Sequence, residues 1–328
     1  MTAPQPSPDD IDPALARTLQ RFARLDADTA TPGLCYAQRR RRLSELQARL
    51  IRSPLPSIAR QDHFLAAEGR EICVRSYQKK GQPARQTLVW LHGGGWMVGD
   101  LNTHDDLCEH LAHFTGHCVL SVHYRRTPEN PFPAPLDDVM AVLQWLHREQ
   151  GSARVLLGGD SAGGHLALAA VVRQLQEKGS GPMAGACIAA LLLLYPPLLP
   201  DARTSSMQAF AEGYGLTPQA MQRYWQDLGQ PRGIAAQWLT PGRCDAEMAR
   251  LPPTVVMTAS HDILRDEGET FALRAQQLGA PVQLLRAPGM VHGFARMLAA
   301  SAAARQQVEQ ACAALTQLQV AHPCTQGK

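Results

Sequence analysis

The chain has 328 residues, 45% of them apolar and 19% charged. That is about twice the ~150 residues of an average domain, enough for a large core, and the balance excludes a disordered chain. Thirty-two Lys and Arg against 29 Asp and Glu leave a formal charge of +3, so no strong field draws the molecule to nucleic acid or anionic lipid.

The first ten residues, MTAPQPSPDD, carry neither the basic nor the apolar stretch of an export signal, which points to the cytoplasm. Two helical patterns follow, over residues 12–25 and 39–51, the second with Leu43, Leu46 and Leu50 on one stripe. Ser53-Pro54-Leu55-Pro56 ends this preface, because successive X-Pro steps disfavour the α region. The runs 61–66 and 71–77 predict a hairpin turning at 67–70. Strands at 87–91, 118–123 and 154–157 then alternate with helices at 103–115, 135–149 and 162–178. The strands are too uniformly apolar to have a wet face, so the fold class is α/β, a parallel sheet covered by helices on both sides. The apolar run 186–195 has about half of the ~20 residues a membrane span needs and is a core strand. The rhythm breaks over 200–251, a mostly helical stretch with Tyr214, Tyr224, Trp225 and Trp238, expected to lie over the sheet's edge. It resumes with strands at 254–259 and 282–286 and helices at 265–278 and 299–318. Cysteines 35, 73, 108, 118, 187, 244, 312 and 324 are too sparse for a disulfide scaffold and read as buried thiols or spectators.

The chemistry concentrates in three places. Residues 154–164 run from a strand through Gly159-Asp160-Ser161-Ala162-Gly163 into a helix, the nucleophile-elbow pattern. The glycines allow close backbone approach around a strained turn that exposes the Ser161 hydroxyl. The helix N-terminus there favours negative charge and offers the Ala162 N–H as an oxyanion donor. Upstream, the strand 87–91 ends in His92-Gly93-Gly94-Gly95-Trp96, a loop whose unshielded amides can approach a carbonyl oxygen. Loss of one such donor typically costs ~2.7–4 kcal/mol of barrier. The loop is neither a P-loop nor a dinucleotide fingerprint, since no Gly-Lys-Ser/Thr follows and the glycines are contiguous.

A serine nucleophile needs a base and an orienting carboxylate. Of the downstream histidines, His322 lies in a Pro-flanked tail and His261 abuts a strand end, which leaves His292 in the loop after strand 282–286. Asp262, just past the strand 254–259, shares that carboxyl-end rim and is favoured over Asp266, which with Glu267 is expected to cap the next helix.

Together, His92-Gly-Gly-Gly95-Trp96, Gly159-Asp-Ser-Ala-Gly163, Asp262-Ile-Leu-Arg-Asp-Glu-Gly268 and His292-Gly-Phe294, with Tyr124-Arg-Arg-Thr-Pro-Glu129 and Phe132-Pro-Ala134, resemble the hormone-sensitive-lipase-like bacterial esterases of the α/β-hydrolase superfamily. The resemblance runs from about residue 60 to the end. It implies an eight-stranded, mostly parallel sheet with a core from 58–199 and 246–320, a helical cap made of 1–57 and the insertion 200–245, and a tail at 321–328. It implies hydrolysis of short- to medium-chain acyl esters through Ser161, Asp262 and His292, with oxyanion donors at Gly94, Gly95 and Ala162. Which two of Gly93, Gly94 and Gly95 point inward is left open. No cofactor and no metal are implied, and the partner is a small-molecule ester rather than nucleic acid or a stable membrane contact. A homodimer is compatible with the chain. Departures are modest: Arg126-Thr127 stands where the family has Leu-Ala, placing Arg126 in solvent or an ion pair, and Ile263 replaces a Pro. Other acyl substrates (lactone, amide, carbonate, thioester) and a non-catalytic ligand-binding role are the alternatives; plant receptors of the family lose the catalytic His, which His292 argues against.

Other features point to structure. His104, His110, His113 and His117, among Asp105, Asp106 and Glu109, suggest the polar outer face of a helix ended by Gly116 rather than a metal site. Arg39 to Arg42 spread around ~300° of a helix and read as solvated charge. The aromatics at 214–238 belong either to packing or to a substrate pocket.

Overall fold

The computed structural model describes residues 11–27, 35–50, 54–150, 154–177 and 187–322. Cys324, the first ten residues and most of the expected tail lie outside them.

Eight strands form one mixed sheet in the order β1-β2-β4-β3-β5-β6-β7-β8. Strands β1 (Ile58–Ala67) and β2 (Arg70–Lys79) make the expected hairpin, longer than its apolar signal because polar residues continue the edge pairing. The hairpin joins β4 (Cys118–Val122) antiparallel. From β4 through β3 (Thr87–Leu91), β5 (Arg154–Asp160), β6 (Cys187–Leu194), β7 (Thr254–His261) and β8 (Val282–Val291) all neighbours are parallel. In β3, Leu88, Val89, Trp90 and Leu91 are all buried, although successive side chains point to opposite faces. Both faces are therefore covered, by α4 (Ala134–Gln150) packed on α5 (Ala162–Glu177), and by α3 (Asp105–Thr115) packed on α11 (Ala302–Ala321). Helix α10 (Arg265–Gln277) lies against β7 and β8.

Local chemistry sets the ends of these elements. Gly116, with φ +67, stops α3 in the left-handed conformation, and Ser301 caps α11 by accepting the Ala304 N–H. Helix α1 (Pro13–Ala27) starts on Asp12, whose carboxylate accepts the Ala14 and Leu15 N–H groups. Asp12 in turn donates its own N–H to the Gly289 carbonyl, which seats α1 beside the end of β8.

Three expectations are corrected. The insertion, with α6 (Ser205–Ala209), α7 (Pro218–Leu228), α8 (Ile234–Leu239) and α9 (Asp245–Met248), connects β6 and β7, interior strands, and touches the segments that follow β3 and β7 rather than a sheet edge. Arg40, in α2 (Tyr36–Leu50), is not solvated: it donates to the Met97 and Thr127 carbonyls and pairs bidentately with Glu129 at 2.8 and 2.7 Å. A planar guanidinium fork suits this mixed set of acceptors. Arg126 likewise faces inward and donates to the Gly99 carbonyl at 2.6 Å.

Candidate active site

Strand β5 delivers Ser161 at the sheet's carboxyl rim. Its backbone has φ +51, a conformation L-residues avoid unless the surroundings impose it. Two hydrogen bonds impose it here, Ser161 N–H to the Leu194 carbonyl at 2.8 Å and His165 N–H to the Ser161 carbonyl at 3.1 Å. A Cβ built on Gly163 would overlap the Leu91 carbonyl oxygen, so β3 and α5 touch backbone to backbone.

The Ser161 hydroxyl lies 2.9 Å from His292 Nε2, and His292 Nδ1 lies 2.7 Å from Asp262 Oδ2. Asp262 is 1% exposed, and its other oxygen accepts the Leu264 N–H at 3.0 Å. This fixes a hydrogen on His292 Nδ1 and leaves Nε2 to accept from the serine. Strand β8 runs through the expected loop to Val291, so His292 projects directly from a strand end, and Gly293 (φ +76) turns the chain away. Tyr195, which follows β6 with φ +39, sets its ring edge-on to His292 at 5.0 Å between centroids.

Asp266 and Glu267 do not cap α10. Asp266 accepts the Ser206 N–H at 2.7 Å and pairs with Arg265, joining α10 to α6. Glu267 is buried against the loop that follows β6, accepts the Leu198 N–H at 2.7 Å, and is pushed up to about 8 by burial, with the nearby Asp262 charge adding to the shift.

On the other side of Ser161, Gly93 N–H donates to Asp160 Oδ1 at 3.1 Å. His104 Nε2 sits 3.1 Å from the same oxygen. Burial pushes the Asp160 carboxyl up, but His104 outweighs it and holds the group below the ordinary carboxylate range. The Gly93 amide is thus turned away from the loop's concave side, whereas the Gly94 and Gly95 N–H groups take no part in the backbone bonding of the loop among the described residues. Those two residues have φ +123 and +58, and a Cβ on Gly95 would lie 2.6 Å from the Tyr224 ring. His92 below them is fully buried, stacks on Tyr124 at 4.2 Å, and accepts the Tyr124 hydroxyl on its carbonyl at 2.6 Å. Ala162, the first residue of α5, brings a helix-terminal amide to the same rim.

The segment around α3 is not a polar outer face: His104, Asp105, Asp106, Glu109, His110 and His117 are all buried, with His104 bonded to Asp160 and His110 Nδ1 to the Asp106 carbonyl at 2.8 Å. Among the described residues no group of three or more His, Cys, Asp or Glu side chains is arranged to hold a metal ion. No helix there is long and apolar enough to cross a membrane. His261 is stacked on Tyr214 at 5.6 Å, away from Ser161's hydrogen-bond chain. The insertion's aromatics divide: Trp225 packs on Trp96 at 4.6 Å and Tyr224 lies against Gly95, whereas Trp238 bonds to Gln176 and lies under Arg173.

A family model described as the α/β-hydrolase fold matches residues 88–296. Carboxylesterase NlhH of Mycobacterium tuberculosis is 32% identical over 96% of this chain and 98% of its own length. The chain belongs to the α/β-hydrolase family. Within it, the chain is a hormone-sensitive-lipase-like member. The carboxylic ester hydrolase LipN of the same bacterium is 36% identical over 68% of this α/β hydrolase, which spans 61% of LipN's length. The crystal structure of a thermostable esterase from Pseudomonas putida superposes with a TM-score of 0.83 at 26% identity, covering 98% of this chain and all of the other.

Proposed function

We propose that this α/β hydrolase is a carboxylesterase in which Ser161, His292 and Asp262 form the catalytic triad. The observation that carries the reading is the unbroken chain Ser161 Oγ–His292 Nε2–His292 Nδ1–Asp262 Oδ2, with contacts of 2.9 and 2.7 Å. Ser161 Oγ attacks the ester carbonyl while His292 Nε2 takes its proton. The resulting alkoxide is held by the amides of Gly94, Gly95 and Ala162. Collapse of this intermediate breaks the bond to the alcohol, which leaves with the proton that His292 returns. Water then repeats the sequence on the acyl-enzyme and frees the acid and Ser161. Buried Asp262 fixes the imidazole tautomer and stabilises its cation.

Helices α1, α2 and α6 to α9 act as the cap. Tyr224 against Gly95 and Trp225 against Trp96 bring the insertion down beside the nucleophile, so the space for the acyl group is bounded and short to medium chains are favoured. The seven cysteines among the described residues are free thiols, which fits the reducing cytoplasm.

Hydrolysis of p-nitrophenyl esters from acetate to palmitate, with amide and lactone controls, tests the reading. Short to medium esters should turn over fastest, and Ser161→Ala should remove turnover while leaving the melting temperature near that of the parent. Retained hydrolysis in that variant would overturn the assignment.

A further inference from the structure

His165 lies four residues after Ser161, one turn along the same face of α5, and its side chain is completely buried. Its Nδ1 is 3.2 Å from Trp96 Nε1, and its Nε2 is 2.9 Å from the Leu239 carbonyl oxygen. An indole N–H only donates and a carbonyl only accepts, so one arrangement satisfies both: a neutral ring with hydrogen on Nε2 and the lone pair on Nδ1. Burial pushes the imidazole down to about 4, against the opposing effect of the bond to Leu239, and so keeps the ring neutral.

The partner at Nδ1 is unusual. Trp96 follows Gly95 directly and has φ +59, a backbone conformation that a bulky residue keeps only where its surroundings enforce it. The Trp96 carbonyl accepts the Thr127 N–H at 3.0 Å, which holds the main chain from one side. The indole is held from the other, by His165 at its nitrogen and by Trp225 on its rings. Leu239 ends α8, so the second bond of the same imidazole reaches the insertion.

We infer that His165 is a positioning residue: by pinning the Trp96 indole it holds the Gly94-Gly95-Trp96 backbone in the form that presents the oxyanion amides, and through Leu239 it fastens that loop to the cap. The inference rests on the reading of Gly94 and Gly95 as oxyanion donors. A side chain that only filled the volume would leave the indole N–H buried without an acceptor. The loop would then have one fewer restraint on its left-handed turn.

Three variants separate the pin from packing. His165→Asn keeps an acceptor near the Nδ1 position, His165→Gln keeps a donor near the Nε2 position, and Trp96→Phe deletes the indole donor. Active sites are counted by titration with an organophosphate ester, so that misfolded protein does not enter kcat. His165→Gln and Trp96→Phe should each lower kcat for p-nitrophenyl butyrate about ten- to hundredfold, less than the ~10²–10³ that loss of an oxyanion donor costs. KM should stay within about threefold, and affinity for a trifluoromethyl ketone, which forms an alkoxide in the same hole, should fall in parallel with kcat. His165→Asn should stay within about threefold of the parent, and the Gln/Phe double variant should be no worse than the poorer single one. If His165→Gln fails to fold, Trp96→Phe alone decides. Parental kcat per titrated site in Trp96→Phe, or an equal loss in His165→Asn and His165→Gln, would overturn the inference. Activity surviving in Ser161→Ala would instead sink the esterase reading, a separate result that involves neither His165 nor Trp96.

Discussion

Gly93 gives its amide hydrogen to Asp160, the residue immediately before Ser161, across 3.1 Å. The two halves of the site are therefore joined by a bond to a buried carboxylate, and bonds to ionised acceptors are about twice as strong as neutral ones. Asp160→Asn keeps the volume and removes the charge. The expected outcome is a fall in kcat of about five- to twentyfold with little change in KM, read by steady-state kinetics on p-nitrophenyl butyrate.

Asp262 is the second buried carboxylate whose charge matters. Asp262→Asn can no longer hold His292 with its hydrogen on Nδ1, and kcat should fall about 10³–10⁴-fold while substrate binding persists. Reaction with an organophosphate should slow by a similar factor.

Glu267 gives a stability prediction whose sign is set by its raised value of about 8. Between the ordinary carboxyl value of 4.5 and about 8, the unfolded chain has lost this proton while the folded chain retains it. Folding stability therefore falls as pH rises through that window and is unaffected by this group below it. Glu267→Gln keeps an acceptor for the Leu198 N–H and cannot ionise. Its melting temperature should be close to the parent's at pH 4.5 and pull ahead progressively towards pH 8 in differential scanning calorimetry.

The aromatics of the insertion should separate by function. Tyr224→Ala opens space against Gly95 and should shift the acyl-chain preference towards longer esters. Trp238→Phe, which loses the bond to Gln176 near the far end of α5 from Ser161, should lower the melting temperature and leave the chain-length profile unchanged. A profile displaced equally by both substitutions would contradict the division.

The sheet was readable in the chain because buried parallel strands such as Leu88–Leu91 are apolar at every position, and because glycine runs mark where loops leave their ends. Strand ends were harder: β5 continues through Gly158 and Gly159, and β8 through Pro288 and Gly289, residues that ordinarily signal a turn. The elbow, the glycine loop, His292 and Asp262 each carry a local pattern. Arg40, Tyr195 and His165 do not. Arg40 sat in a charge run that resembles a solvated surface, and only the fold carries it to Glu129, 89 positions away. His165 is one more residue on a helix's inward face until Trp96 and Leu239 arrive from separate segments. Tyr195 offered a weak cue, an aromatic before two prolines at a strand end, but its φ of +39 has no residue-type signature.

The absence of a side chain at Gly163 lets the first turn of α5 rest on the Leu91 carbonyl, leaving no slack between the helix that follows Ser161 and the strand that launches the glycine loop. That part of the molecule behaves as a single casting. Substrate range in this lineage then has to evolve elsewhere, through those side chains of the segment between β6 and β7 and of the helices before β1 that, unlike Trp225 and Arg40, make no contact with the glycine loop or its neighbours.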